Sequence, residues 1–250
     1  MRTDRINSKA HHSRNSAAAA IAAAGLAIMS AAHGQTADEN IVVAELFTSQ
    51  SCNSCVSANE IFRDLVRSEN VIGLAWHVDY WNMLQTSKGR WQDPYSSKEN
   101  TERQRAYNRN IRGRTSVYTP QMVFNGESET IGSSREKISA AVNKSTTRRP
   151  IPLATVKAQN AIEVSIGKSD DGGNAYLISF LQETTTEIPR GENAGETLAE
   201  LNVVTGLKKL GVVRKAGQTI SVEFPPENQG CVILVQEPGQ GRILGAQYCP

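Results

Sequence analysis

Two cysteines separated by two residues, Cys52 and Cys55, lie where an apolar segment ends and a helical pattern begins. Residues 41–47 (IVVAELF) form a short apolar segment that predicts a buried strand. Apolar residues then recur at gaps of three and four over positions 58–66, a spacing that gives a helix one apolar face. The cysteines are therefore expected at the turn between a buried strand and the N-terminus of an amphipathic helix, which restricts the chain to folds that contain this unit.

This position would change the chemistry of the first cysteine. The N-terminus of a helix carries unpaired N–H groups and the positive end of the macrodipole, and both favour negative charge. A thiol placed there forms a thiolate nucleophile near neutral pH. Cys52 is the predicted attacking thiol, and Cys55, one turn further on, is the predicted resolving thiol of a mixed disulfide. The same pair could instead form half of a metal site or an inert staple, and the spacing alone does not choose between them.

The first 34 residues have the pattern of a secretory signal peptide. A basic start is followed by an apolar stretch at 17–29 (AAAAIAAAGLAIM) and by small residues, with cleavage expected after Ala32 or Gly34. The stretch is far shorter than the roughly 20 residues that span a bilayer. No later segment of the sequence is apolar enough to cross a membrane. We therefore predict a periplasmic or secreted protein with no membrane span after cleavage of residues 1–34.

Most of the apparent basicity of the chain lies in this segment. The whole chain has a formal net charge of +2, whereas residues 35–250 contain 23 Lys and Arg against 24 Asp and Glu, a net charge of −1. Nothing here indicates the concentrated basic face that nucleic-acid binding requires, and no Gly-rich phosphate loop occurs. In an exported protein the even count of four cysteines favours disulfides over free thiols.

The predicted elements divide the mature chain into two parts. Residues 38–147 alternate between strand and helix patterns in the order β-α-β-α-β-β-α. Residues 146–152 (TTRRPIP) contain two prolines and no periodicity, which indicates a linker. Residues 153–250 then contain several short strand patterns separated by turn signals, with one short helix at 202–210. We predict an α/β domain over 38–147 and a smaller antiparallel β-rich, sandwich-like domain over 153–250.

The second cysteine pair lies in the β-rich part. Cys231 opens one predicted strand and Cys249 closes the next, and residues 237–241 (EPGQG) form a turn between the two strands. In an antiparallel hairpin these two ends face each other, close enough for a disulfide. We predict a structural disulfide between Cys231 and Cys249 that contributes about 3 kcal/mol in the chain-entropy description.

A proline lies where another strand is expected to begin. Thr119-Pro120 directly precedes the predicted strand at 121–125 (QMVFN). In redox folds with this order of elements a proline at this point is commonly cis, and a cis X-Pro bond is rare. It would bring the backbone of Thr119 beside Cys52, where an extended substrate peptide could pair with it. Thr119 and Pro120 are therefore predicted to bind substrate, and the alternative is an ordinary trans proline that starts a strand.

The strand–CxxC–helix unit together with Thr119-Pro120 resembles the thioredoxin-like superfamily. More narrowly, several segments resemble a secreted bacterial family catalogued as a domain of unknown function: VVAELFTSQSCNSC, HVDYW, TERQRAY, VYTPQMVFNG and GENAGETLAELNVV. The resemblance covers nearly all of the mature chain. It implies a thioredoxin-like domain over 38–147 with an appended β-rich part, and it implies no substrate. The spacer is Asn53-Ser54 where thioredoxin has Gly-Pro, so the resemblance does not give the direction of electron flow.

The resemblance also implies a catalytic role for Glu45, seven residues before Cys52 on the strand that leads to it. Thioredoxin-like reductants often carry a buried acid on this strand, which relays the proton of the resolving thiol. A carboxyl group buried there would be suited to acid–base chemistry near pH 7. Strand alternation puts Glu45 on the face shared by Val43 and Phe47. The alternative is an acid at the strand end that faces solvent.

Three functions fit these observations. The first is an exported thiol–disulfide oxidoreductase that needs no cofactor, with thiols or disulfides of client proteins or peptides and a redox partner protein as its partners. The second is a periplasmic copper- or other metal-binding protein in which His77 joins Cys52 and Cys55, because two thiolates and an imidazole suit Cu(I) or Zn²⁺. The third is a non-catalytic secreted binding module whose disulfides are inert. The simpler interpretation of His77 is a hydrogen-bonded residue at the end of the sheet.

Overall fold

The computed structural model describes residues 1, 35–36, 41–145, 151–170 and 172–250. Residues 2–34 of the predicted signal peptide and residues 146–150 of the predicted linker lie outside the described residues. The elements in chain order are β1 (Gln35–Thr36), β2 (Val42–Thr48), α1 (Cys55–Val66), β3 (Val71–His77), a short 3-10 helix (Tyr80–Met83), α2 (Lys98–Arg112), β4 (Gln121–Phe124), β5 (Ser128–Ile131), α3 (Arg135–Ser145), β6 (Leu153–Lys157), β7 (Ile162–Ile166), β8 (Gly173–Glu187), β9 (Thr197–Val213), β10 (Gln218–Val222), β11 (Gly230–Gln236) and β12 (Ile243–Tyr248).

Eight strands form one mixed sheet in the order β12-β11-β8-β9-β3-β2-β4-β5. The central strands β2 and β3 are parallel, and the neighbouring pairs β2–β4 and β4–β5 are antiparallel. Every residue of β2 and β3 is buried. This explains their nearly continuous apolar sequences, because a strand covered on both faces has no exposed side on which polar residues are favoured.

The predicted division into domains at 38–147 and 153–250 does not correspond to two separate sheets. Strand β9, from the second part of the chain, pairs in parallel with β3 of the first part, with Val203 opposite Ala75. The described residues from 35 onward consequently belong to one compact unit. The short helix predicted at 202–210 is wrong, because these residues lie within β9. Long-range pairing in a sheet overrides weak local helical preference.

A second sheet covers part of the first. Strands β1, β6, β7 and β10 form a four-stranded antiparallel sheet. Its apolar side chains pack against those of the antiparallel half of the large sheet, in a cluster that includes Leu153, Val164, Ile233 and Leu244. This two-layer region is where the sequence pattern predicts a sandwich-like part.

The disulfide predicted between Cys231 and Cys249 is present at the end of the β11–β12 hairpin. The two Cα atoms are 5.3 Å apart. The N–H group of Cys249 donates to the carbonyl oxygen of Cys231 at 2.9 Å, as expected for facing positions of an antiparallel pair. This bridge therefore closes the open end of a hairpin in which every other residue pair is already fixed by the sheet.

The helices cover opposite faces of the central strands. Helices α1 and α3 pack on the face that carries Ala44 and Leu46, whereas α2 packs through Tyr107 on the face that carries Val43 and Phe47. Because Cys55 begins α1, the cysteines lie on the α1 side of the sheet, at the end of β2. In the described part of the chain, no helix combines the length and apolar character needed to cross a membrane.

Candidate functional site

Cys52 and Cys55 form a disulfide in the turn that joins β2 to α1, with their Cα atoms 5.4 Å apart. The N–H group of Cys55 donates to the carbonyl oxygen of Cys52 at 3.1 Å, and α1 begins at Cys55. No acidic residue lies in the first turn of α1. The predicted place of the cysteines, between a buried strand and a helix N-terminus, is confirmed, and the positive end of the helix dipole is free of a neighbouring acid from the helix itself.

Thr119 lies directly beside the first cysteine. The Thr119–Pro120 peptide bond is cis, as predicted. The Thr119 hydroxyl donates to Sγ of Cys52 at 3.2 Å, and the indole N–H of Trp81 donates to the same hydroxyl at 2.6 Å. The proximity that the sequence predicts is therefore present, and the substrate-binding role of Thr119 and Pro120 stays a prediction.

Both cysteines are buried, whereas their spacer is not. Cys52 is 0 % exposed and Cys55 is 1 % exposed, and Asn53 and Ser54 between them are exposed. An attacking sulfur must be reachable by its client, and Cys52 is not reachable in this arrangement of the chain. Exchange with a partner protein needs this sulfur to be uncovered first.

The turn at 188–196, which joins β8 to β9, lies against the cysteines and is called the covering turn below. The side-chain amide of Asn193 donates to the carbonyl oxygens of Gln50 at 2.8 Å and of Cys52 at 3.2 Å. The carboxylate of Glu192 accepts the N–H group of Asn53 at 3.1 Å. The covering turn thus binds the backbone on both sides of Cys52 through a few hydrogen bonds.

Glu45 is not beside the cysteines. It is 0 % exposed and accepts hydrogen bonds from Nε and Nη2 of Arg103 at 2.6 and 2.9 Å and from the Tyr107 hydroxyl at 2.5 Å. The predicted face, shared with Val43 and Phe47, is confirmed, and the solvent-facing alternative is wrong. That face is covered by α2, so the carboxylate points away from α1 and is already paired with a guanidinium group. This geometry does not support the proposed proton relay.

His77 lies between two carboxylates rather than beside the thiols. Its Nδ1 is 2.7 Å from Oδ2 of Asp93 and its Nε2 is 3.5 Å from Oε1 of Glu200. We call these three residues the histidine cluster. Nδ1 is hydrogen-bonded to Asp93, whereas Nε2 faces Glu200 at an ion-pair distance without a hydrogen bond. The described contacts of both ring nitrogens are thus with acids and not with Cys52 or Cys55. Within the described residues, no group of three or more His, Cys, Asp or Glu is arranged to hold a metal ion. The structure instead places His77 in hydrogen bonding at the end of the sheet.

The charges of the histidine cluster follow from its contacts. Burial lowers the pKa of His77, but the carboxylates of Asp93 and Glu200 outweigh this effect and raise the pKa to about 9. Burial opposes ionisation of Asp93 too, yet the neighbouring imidazolium and its hydrogen bonds hold the pKa of Asp93 below its usual value. Burial raises the pKa of Glu200, an effect that His77 partly offsets. At neutral pH the cluster therefore contains a positively charged His77 paired with an ionised Asp93.

The histidine cluster supports the turn that carries Cys52. Asp93 Oδ2 accepts the backbone N–H of Gln50 at 2.8 Å. Glu200 accepts the side-chain amide of Gln50 at 2.8 Å and that of Asn59, on α1, at 3.0 Å. Two buried acids therefore fix the backbone two residues before Cys52 and the helix that follows Cys55.

Sequence reasoning missed Asp93, Asn193 and Glu200. Asn193 and Glu200 lie in the segment at 191–204 (GENAGETLAELNVV), whose acids and amides are ordinary for an exposed turn and give no local signal. The segment contributed to the family resemblance, but no local pattern connects it with a turn about 140 residues earlier in the chain. Asp93 carries no such signal either.

Comparison with known proteins is consistent with this architecture. Residues 43–236 match the family described as "Protein of unknown function (DUF1223)". A crystal structure of a protein from Agrobacterium tumefaciens, determined in a structural genomics programme, is similar to this chain with 30% sequence identity and a TM-score of 0.72, over 85% of this chain and 96% of that chain. No match is found among curated proteins. The family match spans both the CxxC turn and the covering turn, and the chain therefore belongs to the DUF1223 family.

Proposed function

We propose that this protein is an exported thiol–disulfide oxidoreductase with a thioredoxin-like core. The observation that carries the proposal is the Cys52–Cys55 disulfide at the start of α1 with the Thr119 hydroxyl 3.2 Å from Sγ of Cys52. A helix N-terminus and a hydroxyl donor both stabilise a thiolate, so Cys52 is suited to be the attacking and leaving sulfur. The parallel β2–α1–β3 unit, followed by the β4–β5 hairpin and α3, supports the thioredoxin-like assignment.

The exchange proceeds in two steps that conserve electrons and protons. A client thiolate attacks Sγ of Cys52, the Cys52–Cys55 bond breaks, and Cys55 leaves as a thiolate that takes up a proton. A second client thiolate then attacks the client sulfur of the mixed disulfide and releases Cys52 as a thiolate. The client becomes oxidised by two electrons and the Cys52–Cys55 pair becomes reduced. The reverse sequence reduces a client disulfide.

The covering turn must move before a client can reach Cys52. Its side chains reach the cysteine turn through Asn193 and Glu192, and Glu192 is itself exposed. The two hydrogen bonds from Asn193 are buried and the one between Glu192 and Asn53 is exposed. A loop held by a few hydrogen bonds opens at lower free energy than the sheet beneath it. The buried sulfur is therefore compatible with slow, client-dependent exchange.

Export is supported by the chemistry of the four cysteines. All four are joined in disulfides within the described chain, and disulfides persist in oxidising compartments such as the periplasm or the extracellular space. Together with the signal-peptide pattern of residues 1–34, this favours a periplasmic or secreted protein. Client proteins with exchangeable thiols and a redox partner protein would be its partners.

The proposal is tested by equilibrating the oxidised protein with glutathione buffers under native conditions. We expect the Cys52–Cys55 pair to be reduced and reoxidised reversibly, and the Cys52→Ser variant to lose exchange with a model disulfide. A Cys231→Ser/Cys249→Ser double variant is the matched control and should keep the exchange. Thiols are counted by alkylation and mass spectrometry of the folded protein.

A second candidate is the non-catalytic binding module, and the burial of both cysteines favours it. In that case the disulfide would react only when the protein unfolds. The reduction rate of Cys52–Cys55 would then rise with urea concentration in parallel with global unfolding. A rate that is measurable in the absence of urea and insensitive to low urea would support the oxidoreductase instead.

A further inference from the structure

We propose that Trp81 is a positioning residue that fixes the Thr119 hydroxyl as a hydrogen-bond donor to Sγ of Cys52. The inference deepens the proposed function and rests on it, because it assigns the residue that prepares the reactive sulfur. Trp81 lies in the short 3-10 helix between β3 and α2, outside the strand–CxxC–helix unit.

The direction of the hydrogen bonds follows from the number of protons available. The indole N–H of Trp81 can only donate, and it lies 2.6 Å from Oγ1 of Thr119. This hydroxyl therefore accepts from Trp81 and keeps one proton of its own to donate. Sγ of Cys52 lies 3.2 Å from the same oxygen and has no proton in the disulfide or the thiolate, so it can only accept. The chain of bonds therefore runs from indole to hydroxyl to sulfur.

One other acceptor competes for the Thr119 proton. The Tyr80 hydroxyl also interacts with Thr119, and it donates its own proton to Oε1 of Gln104 at 3.3 Å. Burial is the main reason that the pKa of Tyr80 is raised to about 12, so the phenol stays neutral in the physiological range. A neutral phenol oxygen attracts a donor less strongly than a thiolate does, and the Thr119 hydroxyl should therefore keep donating to Cys52 when the disulfide is reduced.

The position of Trp81 is fixed by the segment that also supports the cysteine turn. Asn82, the next residue, donates to the Ser96 hydroxyl at 2.8 Å and accepts the N–H of Asp93 at 3.1 Å. Asp93 in turn holds the backbone of Gln50. Because the 3-10 helix and the cysteine turn share this anchor, the indole and the sulfur keep their relative position.

The consequence is a larger thiolate population on reduced Cys52. A hydrogen bond to a charged acceptor is about twice as strong as one between neutral groups. If Trp81 is replaced, the hydroxyl is free to rotate and to accept from water while it donates elsewhere. We expect the midpoint of Cys52 ionisation to move upward by about one pH unit, which is a tenfold change in the ionisation constant.

A double-mutant cycle on the reduced full-length protein tests this inference. The variants are Trp81→Phe, Thr119→Val and both together, and the readout is the pH profile of Cys52 alkylation by iodoacetamide with Cys55 distinguished by mass spectrometry. Each single substitution should move the midpoint of the profile upward by about one pH unit, and the double variant should show no further shift. Thr119→Ser, which keeps the hydroxyl, should retain the wild-type profile, and so should Tyr80→Phe.

Three results would overturn the inference: an unchanged profile in Trp81→Phe, an unchanged profile in Thr119→Val, or additive effects of the two substitutions. Circular dichroism shows which variants are folded, and Trp81→His, whose ring can keep an N–H donor, replaces Trp81→Phe in the cycle if the latter is not; its profile should lie between those of the wild type and Thr119→Val, and a profile equal to that of Thr119→Val would contradict the inference. The proposed function fails separately, when the wild-type protein shows no exchange with a model disulfide. A wild-type protein that exchanges, with Thr119→Val unchanged, would refute only the role of Trp81.

Discussion

Two buried clusters of charge lie on opposite faces of the central strands, and they differ in what they are connected to. The arginine cluster (Glu45, Arg103, Tyr107 and Gln236) lies under α2 and joins β2, α2 and β11. The histidine cluster lies at the strand ends on the α1 side and is hydrogen-bonded to the turn that carries Cys52. Both are buried and charged, so burial of a charge alone does not mark a functional site. What distinguishes the histidine cluster is its hydrogen bonding to the turn that carries Cys52.

The arginine cluster has the properties of a structural ion pair. Its guanidinium group makes a bidentate contact with Glu45 and lies 4.7 Å from the ring centre of Trp76. The carboxamide of Gln236 donates to the Tyr107 hydroxyl at 2.7 Å. These contacts fix a helix and a strand from the far end of the chain onto β2, with no link to the cysteines among the described contacts.

The largest expected effect is a loss of folding stability when the ion pair of the arginine cluster is broken. Glu45→Gln leaves the buried Arg103 without its counter-charge, and we expect the free energy of unfolding to fall by about 3–5 kcal/mol. The rate of Cys52–Cys55 reduction should not change. Urea denaturation and the dithiothreitol reduction rate measure the two quantities.

A matched control is the Glu45→Gln/Arg103→Met double variant, which removes both charges and should recover part of the lost stability. If instead Glu45→Gln keeps its stability and slows the exchange by tenfold or more, Glu45 is the proton relay after all and the contrast between the clusters is lost.

The next effect is a pH dependence specific to the histidine cluster. The pKa of His77 is raised from 6.5 to about 9 on folding, so its protonated form is stabilised in the folded protein. This contribution, about 3 kcal/mol, is fully present below pH 6.5 and is lost as the pH rises through 9. Urea denaturation of the oxidised protein between pH 6 and 10 should show this decline.

The His77→Gln/Asp93→Asn double variant removes the charged pair and should show a flatter profile over the same pH range. An equally steep decline in this variant would assign the pH dependence to other groups. It would also remove the electrostatic distinction between the histidine cluster and the arginine cluster, whose guanidinium group stays charged throughout this range.

The smallest expected effect is a faster reduction of Cys52–Cys55 when the covering turn is weakened. Asn193→Ala removes two hydrogen bonds to backbone carbonyl oxygens beside Cys52, and we expect a loss of about 1–2 kcal/mol in stability. The covering turn should open more often, so dithiothreitol should reduce Cys52–Cys55 several times faster than in the wild type, while Cys231–Cys249 is unaffected. Alkylation at timed intervals followed by mass spectrometry measures both bridges.

Glu196→Ala is the matched control, because Glu196 is an exposed residue of the same turn. It should leave the reduction rate unchanged. Equal rates in wild type and Asn193→Ala would show that the covering turn does not limit access to the sulfur.

The sequence by itself determined the local features of this protein. Periodicity located the strand and the helix on either side of Cys52 and Cys55, and alternation put Glu45 on the correct face of β2. The hairpin ends brought Cys231 and Cys249 together, and the proline before β4 indicated the cis bond next to Cys52. All of these inferences except the cis bond depend on neighbours within about 20 residues, where backbone geometry limits the choices. The cis bond next to Cys52 was inferred from what is common in redox folds with this order of elements.

Only the tertiary structure decided what surrounds the reactive sulfur. The pairing of β9 with β3 brings Glu200 under the cysteine turn, and the covering turn places Asn193 over it, although both lie about 140 residues further along the chain. Trp81 and Asp93 reach the same turn from an irregular segment with no periodic pattern. Hydrogen bonds between distant residues leave no regular spacing in a sequence, because they depend on how whole strands pair rather than on the order of neighbouring side chains.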